Sequence, residues 1–267
     1  NIHEGKYFYI QKTFLEKIGS IDSSLIWREL TYSEGDLYSK SDMDNTSRKL
    51  REMGVFSMAN MIPVKVADSD SLVNMVIEFR RYKQREWNST GGYDPIRFAE
   101  GAEPLPALSG TIEWRNRSFF NTPTQLSTKL MGGIPFEFWK QLISSPEFFI
   151  HYDIALTSNW ILGIRLPSKL NLFYKRFKLE EQTEISERYG LELTQKVRIV
   201  EHSFLKSEFV WQSFRGQSLD FLSDQPQKNV EQRSIAVLVD RDKRDDPLFT
   251  HKGYYISGKL KSAGYVL

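Results

Sequence analysis

The sequence predicts an α+β domain of order β-α-α-β-β, followed by a long antiparallel β segment. Three observations carry this reading. Apolar residues recur at helical spacing only before Tyr82. Beyond it, apolar and polar residues alternate over long runs. No stretch of 18 apolar residues occurs, so no transmembrane helix is encoded, although the strands of a membrane barrel would leave no such trace.

The first segment, residues 6–15, is rich in strand formers. Ser23 or Ser24 is expected to cap a short helix carrying Leu25, Ile26 and Leu30, and Gly35-Asp36 marks a turn. A second helix, capped near Ser39 or Ser41, places Met43, Thr46, Leu50 and Met53 at helical spacing and stops at Gly54. Residues 55–66 read as extended. Asp68-Ser69-Asp70-Ser71 reads as a polar turn, and in the next strand Val73, Met75, Ile77 and Phe79 share a face. The expected domain, residues 1–82, is a three-stranded sheet with both helices on one side.

Residues 83–106 are polar and rich in Gly and Pro, and read as a linker or a weak first barrel strand. From 107 to 267 the alternation returns. Leu108, Ile112 and Trp114 oppose Thr111, Glu113, Arg115 and Arg117. Tyr189, Leu191, Leu193, Val197 and Ile199 oppose Arg188, Glu192, Thr194, Lys196 and Arg198. Ile235, Val237 and Val239 stand against Arg233 and Arg241, and further segments fall near 124–134, 148–160, 164–177, 201–214 and 253–265. About eight strands follow, longer than the usual ~5–6 residues. Alternation fits a membrane barrel, a soluble barrel or a sandwich. Strand length, charges repeated on one face, and 18 Phe, 12 Tyr and 6 Trp favour the membrane barrel. There Arg115, Arg117, Arg188, Glu192, Lys196 and Arg198 either line a hydrated lumen or sit on strand extensions beyond the membrane.

Composition removes several classes of function. The formal net charge is +2 with both signs mixed, so there is no basic face for nucleic acid. Without cysteine there are no disulfides, thiolate metal sites or thiol nucleophiles. His3, His151, His202 and His251 lack ligand spacing, no Ser-His-Asp arrangement can be assembled, and Gly132-Gly133 lacks the context of a phosphate loop. The chain is therefore expected to be no enzyme and to carry no cofactor or metal. Binding is expected at a sheet edge. In a β-α-α-β-β layout the middle strand can lie outermost, and Ser57, Met58, Ala59, Asn60, Met61, Ile62, Val64, Lys65 and Val66 would then offer unpaired backbone to an extended client or to a neighbouring domain. Pro63 interrupts the donor row. Asn1-Ile2-His3-Glu4-Gly5 has no signal-peptide pattern, so an exported protein would appear here as a processed form or a fragment.

Particular motifs carry a family resemblance. Glu4-Gly5-Lys6-Tyr7, Ile18-Gly19-Ser20, Glu34-Gly35-Asp36-Leu37-Tyr38-Ser39 and Leu50-Arg51-Glu52-Met53-Gly54-Val55-Phe56 together resemble a POTRA domain. Trp114-Arg115-Asn116-Arg117-Ser118-Phe119-Phe120 is similar to an early barrel strand of the BamA and TamA superfamily, the bacterial surface antigens. Asp242-Lys243-Arg244-Asp245-Asp246-Pro247, with Lys252-Gly253-Tyr254 and Ser262-Ala263-Gly264, resembles that family's acidic turn and the strand after it. Thr250 stands where the family usually has proline, which would leave the turn less rigid. The resemblance implies an α+β POTRA domain (β-α-α-β-β) in the periplasm, followed by an antiparallel transmembrane β-barrel segment in the outer membrane. It also implies that the chain is part of a longer protein, since the family's barrel has roughly sixteen strands.

The function so implied is capture of unfolded outer-membrane clients by strand addition and their insertion at the barrel. Partners would be unfolded outer-membrane or secreted proteins, outer-membrane lipid, and periplasmic or lipoprotein accessory subunits. The alternatives are a two-partner-type secretion transporter, a barrel anchoring an upstream enzyme domain, and a soluble β-rich binding protein.

Overall fold

The computed structural model describes residues 7–67, 69–93, 107–135, 149–161, 163–178, 185–200, 203–215, 230–246 and 249–266. The chain divides into two units, one of Asn1–Glu86 with Asn116–Leu126, the other of Trp87–Arg115 with Ser127–Leu267.

The first unit contains β1 (Tyr9–Glu16), α1 (Ser23–Trp27), α2 (Lys40–Glu52), β2 (Phe56–Lys65) and β3 (Leu72–Arg81). Asp22, not a serine, caps α1, its carboxylate accepting the Ser24 N–H at 2.9 Å. The cap thus falls one residue before the expected pair, because Ser23 already has helical geometry. Ser39 caps α2, Asp42 lies in its first turn and Lys49 and Arg51 in its last, so the charges suit the helix dipole. Gly54, at φ +74, takes the left-handed conformation that ends the helix.

The strand order is β1-β3-β2, with β1 parallel and β2 antiparallel to β3. All four alternate residues of β3, Val73, Met75, Ile77 and Phe79, are buried. A bulge at Ser57 lets both Phe56 and Ala59 face inward. Ile26, Leu50, Phe56, Ile77 and Phe79 form one apolar cluster, while Ile10, Tyr32, Met43, Val73 and Met75 form a second. Each such side chain contributes roughly 1.5–3 kcal/mol on burial.

The second unit is a nine-stranded sheet in chain order: β4 (Arg85–Tyr93), β5 (Ala107–Asn116), β6 (Gln125–Pro135), β7 (Phe149–Ile161), β8 (Ile164–Lys178), β9 (Ile185–Val200), β10 (Ser203–Arg215), β11 (Val230–Asp242) and β12 (Tyr255–Val266). Within the stretch read as a linker or weak strand, β4 occupies residues 85–93, while 94–106 lie outside the described residues. Successive strands reverse direction, so β5 and β6, β7 and β8, β9 and β10, and β11 and β12 follow each other at one end of the sheet, and β4 and β5, β6 and β7, β8 and β9, and β10 and β11 at the other. The two pairs separated by only two residues, β7 with β8 and β9 with β10, both meet at the first end. No described helix is long and apolar enough to cross a membrane, which says nothing of strands.

Candidate functional site

Two features of the structure can engage other molecules. The first is the edge of the small sheet. The Val66 N–H donates to the Leu72 carbonyl at 3.2 Å, continuing the β2–β3 ladder. Backbone direction alternates along a strand, so Asn60, Ile62 and Val64 also bond toward β3, whereas Met61, Pro63 and Lys65 turn theirs away from it. Pro63 therefore removes a donor from the outward row without breaking the ladder. Ser47 Oγ donates to the Ala59 carbonyl at 2.6 Å, so α2 already closes the start of that row.

The other border of the sheet is occupied. Along β1, Ile10 N–H donates to the Asp36 carbonyl at 2.9 Å, Gly35 N–H to Ile10 at 2.7 Å and Tyr38 N–H to Phe8 at 2.7 Å. Glu34 accepts the Thr13 N–H at 3.1 Å. Met61–Lys65 is thus the open stretch of this sheet. Its outer face carries Phe14, Val76 and Ile62 in one register row, with Met58 and Val64 also exposed. The sequence pattern missed this row, because the register that joins the three residues is not local.

The second feature is the contrast between the two faces of β7–β12. On one face Leu156, Leu170, Leu193, Phe209 and Ile235 stand in a single register row across five strands. Ile154, Leu172, Leu191 and Trp211 form the adjacent row, and Tyr152, Tyr174 and Tyr189 the one beyond. Many of these side chains are solvent-exposed, Leu172 at 45% and Ile235 at 57% among them. An isolated water-soluble sheet would leave this apolar surface uncovered.

The opposite face is polar. A cavity of about 370 Å³ is lined by His151, Asp153, Asn171, Lys175, Arg188, Glu192 and Glu208, among others. Arg188 Nε donates to Gln212 Oε1 at 2.8 Å, and its guanidinium lies between the rings of Phe173 and Phe214, 5.5 and 5.2 Å from their centroids. Asn171 Nδ2 donates to Asp153 Oδ1 at 3.3 Å. Gly190 allows the crowding here, since a Cβ at that position would meet the Trp211 carbonyl oxygen at 2.3 Å and Phe173 Cζ at 2.8 Å. His151 and Asp153, two residues apart on an alternating strand, were the available sequence signal for this face.

This meander of long strands, apolar on one face and charged on the other, matches a known architecture. Its fold is that of the BamA barrel. The chain aligns with the crystal structure of BamA from Haemophilus ducreyi lacking POTRA domains 1–3 at a TM-score of 0.61, with 15% identity, over 97% of this chain and 49% of that one. It aligns with CdiB from Acinetobacter baumannii at a TM-score of 0.54, with 10% identity, over 97% of this chain and 46% of that one. The chain thus spans about half the length of either. No protein-family model and no curated protein matches the sequence.

Among the sequence-derived lumen candidates, Arg188 and Glu192 line the cavity. Lys196 and Arg198 share their face by alternation but lie nearer the end of β9, both against the Phe204 ring, 4.0 and 5.3 Å from its centroid. Arg115 pairs with Glu113, and by alternation both share a face with Ala107, which packs on Phe149. Arg117 does not line this cavity and lies just past the end of β5, its N–H donating to the Gln84 carbonyl at 2.9 Å. The strand ends at Asn116, whose side chain accepts the Ser118 N–H at 3.1 Å, and the chain turns through positive φ at Phe120 and Asn121. Arg117 instead donates to Glu86 at 2.9 Å and to the Gly54 carbonyl at 3.4 Å, and its guanidinium lies 4.4 Å from the centroid of the Tyr82 ring, all within the first unit.

In the 243–254 turn, Arg244 donates to both carboxylate oxygens of Asp242 at 2.9 and 2.7 Å. Asp245 Oδ1 accepts the N–H groups of Asp246, His251 and Lys252 at 2.9, 3.0 and 3.1 Å. The Lys252 amide, foremost among these donors, holds the Asp245 carboxyl below the usual carboxylate range. Asp246 accepts the Phe249 N–H at 3.1 Å. Gly253 (φ +104) is required, because a Cβ would lie 2.1 Å from the Lys243 carbonyl oxygen. Thr250 Oγ1 donates to the Asp246 carbonyl at 2.8 Å, a bond that proline could not make. Pro247 lies outside the described residues.

Proposed function

We propose that this chain is part of an outer-membrane assembly factor that takes up unfolded clients at the β2 edge and inserts them at the barrel. The observation that carries this reading is the two-faced register of β7–β12, with leucine rows outside and a charged cavity inside. A transmembrane strand needs about 9–11 residues, and the strands of this region, such as β9 with 16, are long enough. The meeting of both closely spaced pairs at one end fits short periplasmic turns opposite longer extracellular loops.

The first unit is read as a POTRA domain in the periplasm. Its β-α-α-β-β order, its stop at Gly54 and its open Met61–Lys65 edge support this, and the 97% alignment with the BamA structure extends over it. A client strand added at Met61–Lys65 would gain main-chain bonds with little demand on its sequence. In the barrel an incoming strand cannot leave its backbone unpaired in lipid, and β4, at one end of the nine-stranded sheet, offers a template. The chemistry is non-enzymatic, and lipid and unfolded polypeptide are the partners.

The cavity supports a second reading, a two-partner-type secretion transporter whose client crosses the hydrated interior. Photo-crosslinkers at Glu192 in the cavity and at Asn88 on β4 separate the two. Client trapped at Asn88 supports insertion, and client trapped at Glu192 supports passage. The membrane placement itself is tested by heat-modifiable migration and detergent dependence. A stable monomer in detergent-free buffer overturns it.

A further inference from the structure

We infer that the outer face of the β11–β12 hairpin binds the anionic headgroup of a phospholipid, an assignment that rests on the membrane reading above. Arg233 and Arg241, expected to oppose Ile235, Val237 and Val239, share their face instead, because all five lie two residues apart on one strand. Along this face the paired residues change character within a few steps. Val237 faces Leu260, Val239 faces Gly258, and Arg241 faces Ile256. The ladder continues past both strands, with Lys243 N–H donating to the Tyr254 carbonyl at 2.8 Å and Asp245 N–H to the Lys252 carbonyl at 3.0 Å. Lys243 and Tyr254 therefore lie directly below Arg241 and Ile256 on the same side of the hairpin.

From Val239 to Lys243 the strand descends about 10 Å if tilted near 45°. That is the distance over which a bilayer passes from hydrocarbon to headgroup. Tyr254 stands at the level where interfacial aromatics collect. The Arg241 guanidinium lies 6.0 Å from the centroid of its ring.

The acids of this segment are already engaged. Asp240 accepts the Tyr255 hydroxyl at 3.0 Å. Asp242 holds Arg244, Asp245 gathers three backbone amides, and Asp246 accepts Phe249 N–H. Arg241, Lys243 and Lys252 are exposed and have no carboxylate partner among the described residues. The segment is nearly neutral by count, but it exposes three cations, Arg241, Lys243 and Lys252, against two carboxylates, Asp245 and Asp246, so its outward charge is net cationic. A guanidinium and two ammonium groups beside a phenol ring suit the phosphodiester of an anionic lipid.

The test uses the protein reconstituted into phosphatidylcholine vesicles carrying spin-labelled phosphatidylglycerol or spin-labelled phosphatidylcholine. The immobilised fraction should favour phosphatidylglycerol. Arg241→Gln, Lys243→Gln and Lys252→Gln should each weaken that preference, by about fivefold per cation, and the triple variant should abolish it. The charge-matched variant Lys12→Gln/Lys40→Gln/Lys83→Gln should keep it, and Lys243→Arg should retain binding where Lys243→Gln does not.

Equal loss in the charge-matched variant, or no preference in the wild type, overturns the headgroup site. Displacement by millimolar inorganic phosphate overturns a lipid ligand in favour of free phosphate. Failure of the wild-type protein to enter vesicles at all overturns the membrane reading instead, and the two failures are thereby distinguished.

Discussion

Leu193 sits opposite Phe209 across the β9–β10 ladder, on the face of the sheet turned away from the charged cavity. One residue along, Thr194 faces Glu208 on the cavity side. If Leu193 meets lipid near the bilayer midplane, Leu193→Arg should cost roughly 2–4 kcal/mol. Thr194→Arg should cost much less, because Glu208 and water are at hand. Urea titration of vesicle-inserted protein measures both. Lipid-phase labelling of position 194 with 193 protected would reverse the assignment of faces.

At the edge of the small sheet, Met61→Pro should weaken capture of extended peptides and leave the domain folded, because the donor lost is directed outward. Ile62→Pro should unfold it, because that donor belongs to the β2–β3 ladder. Peptide affinity by fluorescence anisotropy, beside circular dichroism, checks the pair. Unchanged affinity in folded Met61→Pro would favour docking of this edge on another domain.

Residues 1–82 should fold as an isolated domain. Both apolar clusters draw all their members from between Phe8 and Phe79. A dispersed amide spectrum is expected, and a collapsed one would place the Arg117 loop among the requirements for folding.

Gly190→Ala should destabilise the sheet by about 1–3 kcal/mol, as overpacking of a crowded interior does. Phe173 can retreat from the new methyl group, but the Trp211 carbonyl belongs to the neighbouring strand. Combining the change with Phe173→Leu should recover only part of the loss in the same urea titration.

The Asp245 turn should open on acidification. Its carboxyl is held low in the folded protein by the Lys252, His251 and Asp246 amides. The stabilisation is therefore complete above the unfolded carboxylate value of about 3.9 and is lost as pH falls through the lower folded value. The amide proton shifts of His251 and Lys252 should follow that single titration, and Asp245→Asn should abolish it.

Alternation exposed the long strands because each separates two unlike environments. The run from Tyr189 to Ile199 lies wholly within β9, Ile185–Val200. By contrast β4 is invisible to such a pattern. It is exposed along nearly its whole length, so Asn88, Ser89 and Thr90 owe nothing to periodicity. Arg117 keeps its N–H on Gln84 just past β5, but the contacts of its side chain with Glu86 and Gly54 are ones no periodicity reports. The parallel pairing of β1 with β3 is likewise unreadable locally, since Val76 is chosen by Phe14 only through the register of the folded sheet.

If clients add at the β2 edge as proposed, the closure of β1 by residues 35–38 limits them to one at a time. A sheet with one free border can accommodate one additional strand, and whichever polypeptide arrives first denies the place to all others. A neighbouring domain that rested there would be a competitor of every client, displaced only in proportion to relative concentration and affinity. Uptake would then saturate at a single chain per unit, and delivery onward would have to precede the next arrival.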